Sequence, residues 1–104
     1  MKRLSADPPA ARAERPSTAV LHDEANVRVI AFHLLPGQQV PPHHSAGTVL
    51  VHVVSGTGTL RGDGAEETLG PGESAVYAPG ETHSIQCGEG GPLHFLAIIS
   101  PRPG

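Results

Sequence analysis

Apolar residues in this chain come in short bursts, and glycine or proline closes each burst. Residues 26–35 (NVRVIAFHLL) open on β-branched side chains and stop at Pro36-Gly37, a turn pair. Residues 48–54 (TVLVHVV) are almost continuously apolar and end at Ser55-Gly56. A run so short and so rich in valine predicts a strand buried on both faces. Residues 57–61 lead into Gly62-Asp63-Gly64, a strong hairpin signal, and residues 66–69 form the return strand before Gly70-Pro71-Gly72. Residues 74–78, His83–Cys87 and Leu93–Ser100 supply further strands. The pattern predicts roughly eight strands at about ten-residue spacing, the signature of an all-β, antiparallel sandwich or closed barrel. Closure would remove unpaired strand edges, and the inner faces must then be filled by side chains or enclose a small cavity.

Before these bursts the chain reads differently. Residues 1–17 are polar, rich in Ala and Arg, and broken by Pro8, Pro9 and Pro16, so a flexible or strand-exchanging N-terminal arm is expected there. Residues 18–104 form the single β-barrel domain. With 104 residues there is room for one domain, which buries only about 60–65% of its unfolded surface. A second copy would help to cover a strand apolar on both faces, so a homodimer is expected.

Composition narrows the choice of partner. Thirteen Gly and eleven Pro interrupt every plausible helical window, which reinforces the all-β reading. A net charge of −3 and the lack of basic runs argue against nucleic acid, and three aromatic residues (Phe32, Tyr77 and Phe95) make no stacking platform. The single Cys87 leaves no intrachain disulfide. Met1-Lys2-Arg3-Leu4 begins like a secretory leader, but Ser5-Ala6-Asp7-Pro8-Pro9 continues it without an apolar stretch. A soluble, cytoplasmic protein with no membrane partner is the expectation.

Seven histidines are many for so small a chain, and two segments place them suggestively. Gly37-Gln38-Gln39-Val40-Pro41-Pro42-His43-His44-Ser45 sets adjacent histidines after a rigid Pro-Pro, just before the most apolar strand. Gly72-Glu73-Ser74-Ala75-Val76-Tyr77-Ala78-Pro79-Gly80-Glu81-Thr82-His83 repeats the logic: a turn, a short strand, a second turn, and a histidine opening the next strand. Other chemistries find little support. No glycine-rich loop precedes a helix to cradle phosphate, no nucleophile-elbow sequence occurs, and the acidic residues gather in turns rather than in apolar strands.

The two segments resemble the paired motifs of the cupin superfamily, and the resemblance spans residues 27–101. In the first motif, G-x5-H-x-H-x3–4-E-x6-G, the chain supplies Gly37, His43 and Gly56 at matching spacing. In the second, G-x5-P-x-G-x2-H-x3-N, it supplies Gly72, Gly80 and His83, with Pro79 one place late. The motif's second His falls on Ser45, its Glu on Val49 and its terminal Asn on Cys87. The resemblance thus implies a small single-domain cupin, a jelly-roll barrel with a degenerate first motif, in which His43 and His83 share one pocket. It also implies one divalent transition metal (Fe, Mn, Ni or Zn), weakly held or absent, because three or four protein ligands are usual.

Strand geometry tests which residues could complete the site. Alternate side chains share a face, so His43 goes with Ser45 while His44 points away unless a bulge beside Pro42 turns it inward as a third ligand. His52 lies about 30 Å along a straight strand from His43, and Cys87 about 13 Å from His83. The pocket is expected to take in Ser45, Val49, Val51, Tyr77, Cys87 and His94. Core packing is an equal alternative for Tyr77, and Cys87 also reads as a small buried hydrophobe. His22 and His33 read as ordinary strand or loop residues.

Two functions of different classes fit. One is a binding module for a small organic ligand, with His43 and His83 as polar anchors in an apolar pocket. The other, permitted by the resemblance, is a metal-dependent oxygenase or isomerase using His43, His83 and a further ligand.

Overall fold

The computed structural model describes residues 1–102; residues 103 and 104, the end of the predicted 18–104 domain, lie outside the described residues. Nine strands are present: β1 (Ser17–Asp23), β2 (Arg28–Leu34), β3 (Gln39–His43), β4 (Thr48–Ser55), β5 (Gly58–Gly62), β6 (Ala65–Leu69), β7 (Ser74–Tyr77), β8 (His83–Cys87) and β9 (Leu93–Ser100). They form two antiparallel sheets, ordered β1-β2-β9-β4-β7 and β3-β8-β5-β6, packed face to face. No helix among the described residues is long and apolar enough to cross a membrane.

The predicted strands appear within a residue or two of their expected limits, and two more join them. Both additions hide their strand character. β1 mixes Ser, Thr, His and Asp with its apolar residues, and its inner-face Val20 stays 60% exposed because no part of the second sheet covers it. β3 contains Pro41-Pro42, which cannot donate to a ladder. It is tolerated because β3 is an edge strand and the pair sits in a bulge between Val40 and His43.

One expectation about burial needs correction. β4 was expected to be buried on both faces, but only Val49, Val51 and Val53 are, at 3%, 1% and 0% exposure. Leu50, His52 and Val54 on the other face are half-buried, because the sandwich has two layers and, among the described residues, nothing packs behind this sheet in the middle of β4.

The core lies between the sheets. Val53, Phe95, Leu34 and Leu93 from the first sheet meet Leu60, Ile85 and Cys87 from the second. Phe32 and Phe95 face each other across β2 and β9 with ring centroids 4.7 Å apart and planes within 9°. At the β4–β5 turn Gly56 takes φ +82°, and a Cβ there would fall on the Pro92 carbonyl oxygen. The N-terminal segment lies along its own domain. Pro9 O accepts from His33 Nδ1 at 2.8 Å, and Gln38 Nε2 donates to Arg12 O at 2.7 Å while Gln38 Oε1 accepts from Leu35 N.

Candidate functional site

The bulge in β3 is what builds the site. Val40 pairs with Ile85 and His43 with His83, so three steps along β3 match two along β8. Without the extra residue, Val40 and His43 would point to opposite faces. With it, both face inward, and His43 stands beside His83 with ring centroids 4.1 Å apart in an edge-on arrangement at 63°. Tyr77, from the opposite sheet, stacks on His83 at 4.6 Å.

Both histidines are fixed in the same tautomer. His43 Nδ1 lies 3.0 Å from Pro41 O and His83 Nδ1 lies 3.1 Å from Glu81 O. A carbonyl can only accept, so in each neutral ring Nδ1 carries the proton and Nε2 keeps the lone pair. Burial holds the His83 imidazole below its ordinary pKa; repulsion from His43 and His44 acts the same way, and the Glu81 carbonyl and carboxylate oppose it in part. Burial, with Glu81 adding to it, pushes the Tyr77 phenol up to about 12.

Glu81 has no place in the sequence reading, yet it organises this corner. Its carboxylate accepts from Ala78 N at 3.0 Å and from Asp63 N at 3.3 Å, tying the β7–β8 turn to the β5–β6 hairpin. Its carbonyl orients His83. An acidic residue three places after a turn's first residue is the only hint the sequence holds.

Between the sheets opens a cavity of about 400 Å³. One wall is Ile30, Phe32, Val49, Val51, Phe95, Ala97 and Ile99; Val40 and Ile85 face it; His43, His44, Ser45, Ala46, Gly80 and His83 form the polar end. Of the predicted residues, His43, His44, His83, Ser45, Val49 and Val51 therefore line one space. The route differs from the expected unbroken strand, since β3 stops at His43 and β4 starts at Thr48. Ser45 is instead held in the connecting loop, where its Oγ accepts from Gly47 N at 3.2 Å and its carbonyl accepts from Gly80 N at 2.8 Å.

Three expected pocket residues lie elsewhere. His94 faces the other side of its strand, because Phe95, Ala97 and Ile99 point inward and the side-chain period is two. It is 4% exposed, and its Nε2 has no hydrogen-bond partner among the described residues. Cys87 follows His83 and Ile85 on the inner face of β8 but lies deeper, in the core, with Sγ 3.3 Å from Gly91 O. Tyr77 packs behind His83 rather than lining the cavity. His52 is on the outer face, its Nδ1 2.7 Å from Ser74 Oγ. Conversely, sequence reasoning missed the wall formed by Ile30, Phe32, Phe95, Ala97 and Ile99. Alternation within residues 26–35 and Leu93–Ser100 held that signal, once the two strands are known to pair.

The donor set decides whether a transition metal fits. Two imidazoles with Nδ1 tied to backbone carbonyls and Nε2 free are half of such a site. The remaining motif places hold a hydroxyl and an isopropyl group, Ser45 and Val49. Among the described residues no three His, Cys, Asp or Glu side chains come together to hold an ion. These residues do not fit a tightly held metal.

Comparison with known proteins agrees with the architecture. A family model described as "Cupin domain" matches residues 31–99. No curated protein matches the chain significantly. A Klebsiella pneumoniae protein with a double-stranded β-helix domain superposes with a TM-score of 0.90 at 24% identity, covering 100% of this chain and 94% of its own. KdgF from a Halomonas species gives 0.80 at 17% identity, with 89% and 86% covered. A predicted oxalate decarboxylase from Thermotoga maritima gives 0.77 at 24% identity, with 83% and 80% covered. At these identities the likeness is one of fold.

Proposed function

The chain belongs to the cupin domain family, and we propose that it is a small-molecule-binding member with a reduced, histidine-based metal site. One observation carries the reading: a cavity of about 400 Å³ has apolar walls from both sheets and polar groups at one end only. That is the ordinary composition of a pocket for a small organic molecule, within the usual range of about 300–1,000 Å³. His43 and His83 anchor and orient the ligand. The apolar walls supply affinity through area removed from water.

The test is binding with the cavity open and filled. Ala97, 6% exposed and on the wall, accepts a larger side chain only at the cavity's expense. Small aromatic and alicyclic compounds should raise the melting temperature of the parent protein and leave Ala97→Phe unmoved. Equal responses from both would remove the cavity from the reading.

A second reading is a metal-dependent enzyme of the oxygenase or isomerase type. Its support is the paired His43 and His83, whose rings lie 4.1 Å apart, with His44 lining the same cavity although the three do not come together as one ligand set. Elemental analysis of untagged protein separates the two: about one transition metal per chain favours the enzyme.

A further inference from the structure

We infer that the pocket selects neutral molecules that pair an apolar body with a hydroxyl group, an alcohol or a phenol, and rejects carboxylates of the same shape. The inference rests on the pocket reading above and adds the chemical class of its ligand.

Three observations lead there. First, among the described residues the cavity lining contains no Asp, Glu, Lys or Arg, so an ionised ligand would lose its hydration with no carboxylate, ammonium or guanidinium to replace it. Second, backbone carbonyls hold the protons of His43 and His83 on Nδ1, so both rings offer the cavity an acceptor rather than a donor. A carboxylate, which can only accept, would be repelled by the two Nε2 lone pairs and would find donors only in the Ser45 hydroxyl and the His44 ring, whereas a hydroxyl hydrogen is what an Nε2 lone pair takes. Third, Ser45 Oγ already accepts from Gly47 N and keeps its own proton to donate, which suits the oxygen of the same hydroxyl.

Three probes of one shape separate the possibilities: 4-ethylphenol, ethylbenzene and 4-ethylbenzoate, titrated calorimetrically into full-length protein at pH 7.5 with EDTA present. The expected order is the phenol at least about tenfold tighter than ethylbenzene, with the benzoate weakest, since a hydrogen bond to a buried acceptor discriminates strongly against an analogue lacking it. His43→Phe removes one of the two acceptors and leaves buried His83, so it should weaken the phenol at least about threefold more than it weakens ethylbenzene. Nitrogen-15 NMR of the histidines gives a second readout, with Nδ1 protonated in both rings and the Nε2 resonances shifting when 4-ethylphenol is added. Equal affinities for phenol and ethylbenzene, or a benzoate that binds best, would overturn the inference and leave the pocket reading standing. If none of the three binds, both fall.

Discussion

Gly37 and Gly56 stand at the two ends of the first motif and share one backbone conformation, φ +84° and +82°, but not one environment. Nothing lies within 4 Å of a Cβ built at Gly37, whereas one at Gly56 would overlap the Pro92 carbonyl oxygen and touch Leu93 Cα. Alanine at Gly37 therefore carries only the left-handed backbone cost, about 1–2 kcal/mol. Alanine at Gly56 carries that cost and also forces two backbone segments apart, adding about 1–3 kcal/mol. With a urea slope of about 1 kcal/mol/M, the midpoint should fall by about 1–2 M for Gly37→Ala and by about 2–5 M for Gly56→Ala. The second value approaches the whole stability of a small domain, so urea titrations at 10 °C and with stabilising sulfate belong in the design. Equal shifts for the two variants would show that the Gly56–Pro92 approach does not constrain the fold.

Further expectations concern assembly, pH and metal. The outer face of the first sheet carries Leu50, Leu96 and Ile98 half-buried and Val76 64% exposed, so light scattering at micromolar concentration should give a homodimer, and Val76→Glu should weaken it. His83 and His94 both have pKa values lowered chiefly by burial, with His33 repelling and Asp7 attracting in the case of His94. The unfolded chain then binds more protons below about pH 6.5, so the stability is present above that value and lost as pH falls; denaturation from pH 8 to 5 should show the slope, reduced in His94→Phe. Combining Ser45→His with Val49→Glu should raise divalent-metal affinity at least about tenfold, and the metal-free variant should melt below the parent because Val49 is 3% exposed. No gain in affinity would mean that positions 45 and 49 do not converge on the two histidines.

Much of the fold was legible because its strands are punctuated locally. The hairpin at Gly62-Asp63-Gly64 and the turn at Pro36-Gly37 state their geometry in adjacent residues, and β5–β6 and the end of β2 follow. What depended on partners was not legible. β4 reads as continuously apolar whether one face or two are covered, since Leu50 and Val54 satisfy either case. His94 fell on the wrong face because β9 is apolar on both, and only the pairing of Phe32 with Phe95 sets its parity. Glu81 acts through its carbonyl and through hydrogen bonds to Ala78 N and to Asp63 N, eighteen residues away, and no motif advertises the longer link.

The prolines of β3 join these two kinds of information. Pro41-Pro42 sits poorly in a strand, because each proline lacks the backbone donor that a strand interior needs. On an edge strand the missing donors cost little on the solvent side, and the bulge they occupy shifts the register by one residue against β8. That shift turns His43 toward His83, and the strand then ends, which frees His44 and Ser45 from alternation and lets both reach the same cavity. The feature that strains the strand is thus the one that aims the histidine. Spacing between Gly37 and His43 carries site information because five intervening residues accommodate a turn, a bulge and an inward-facing side chain together.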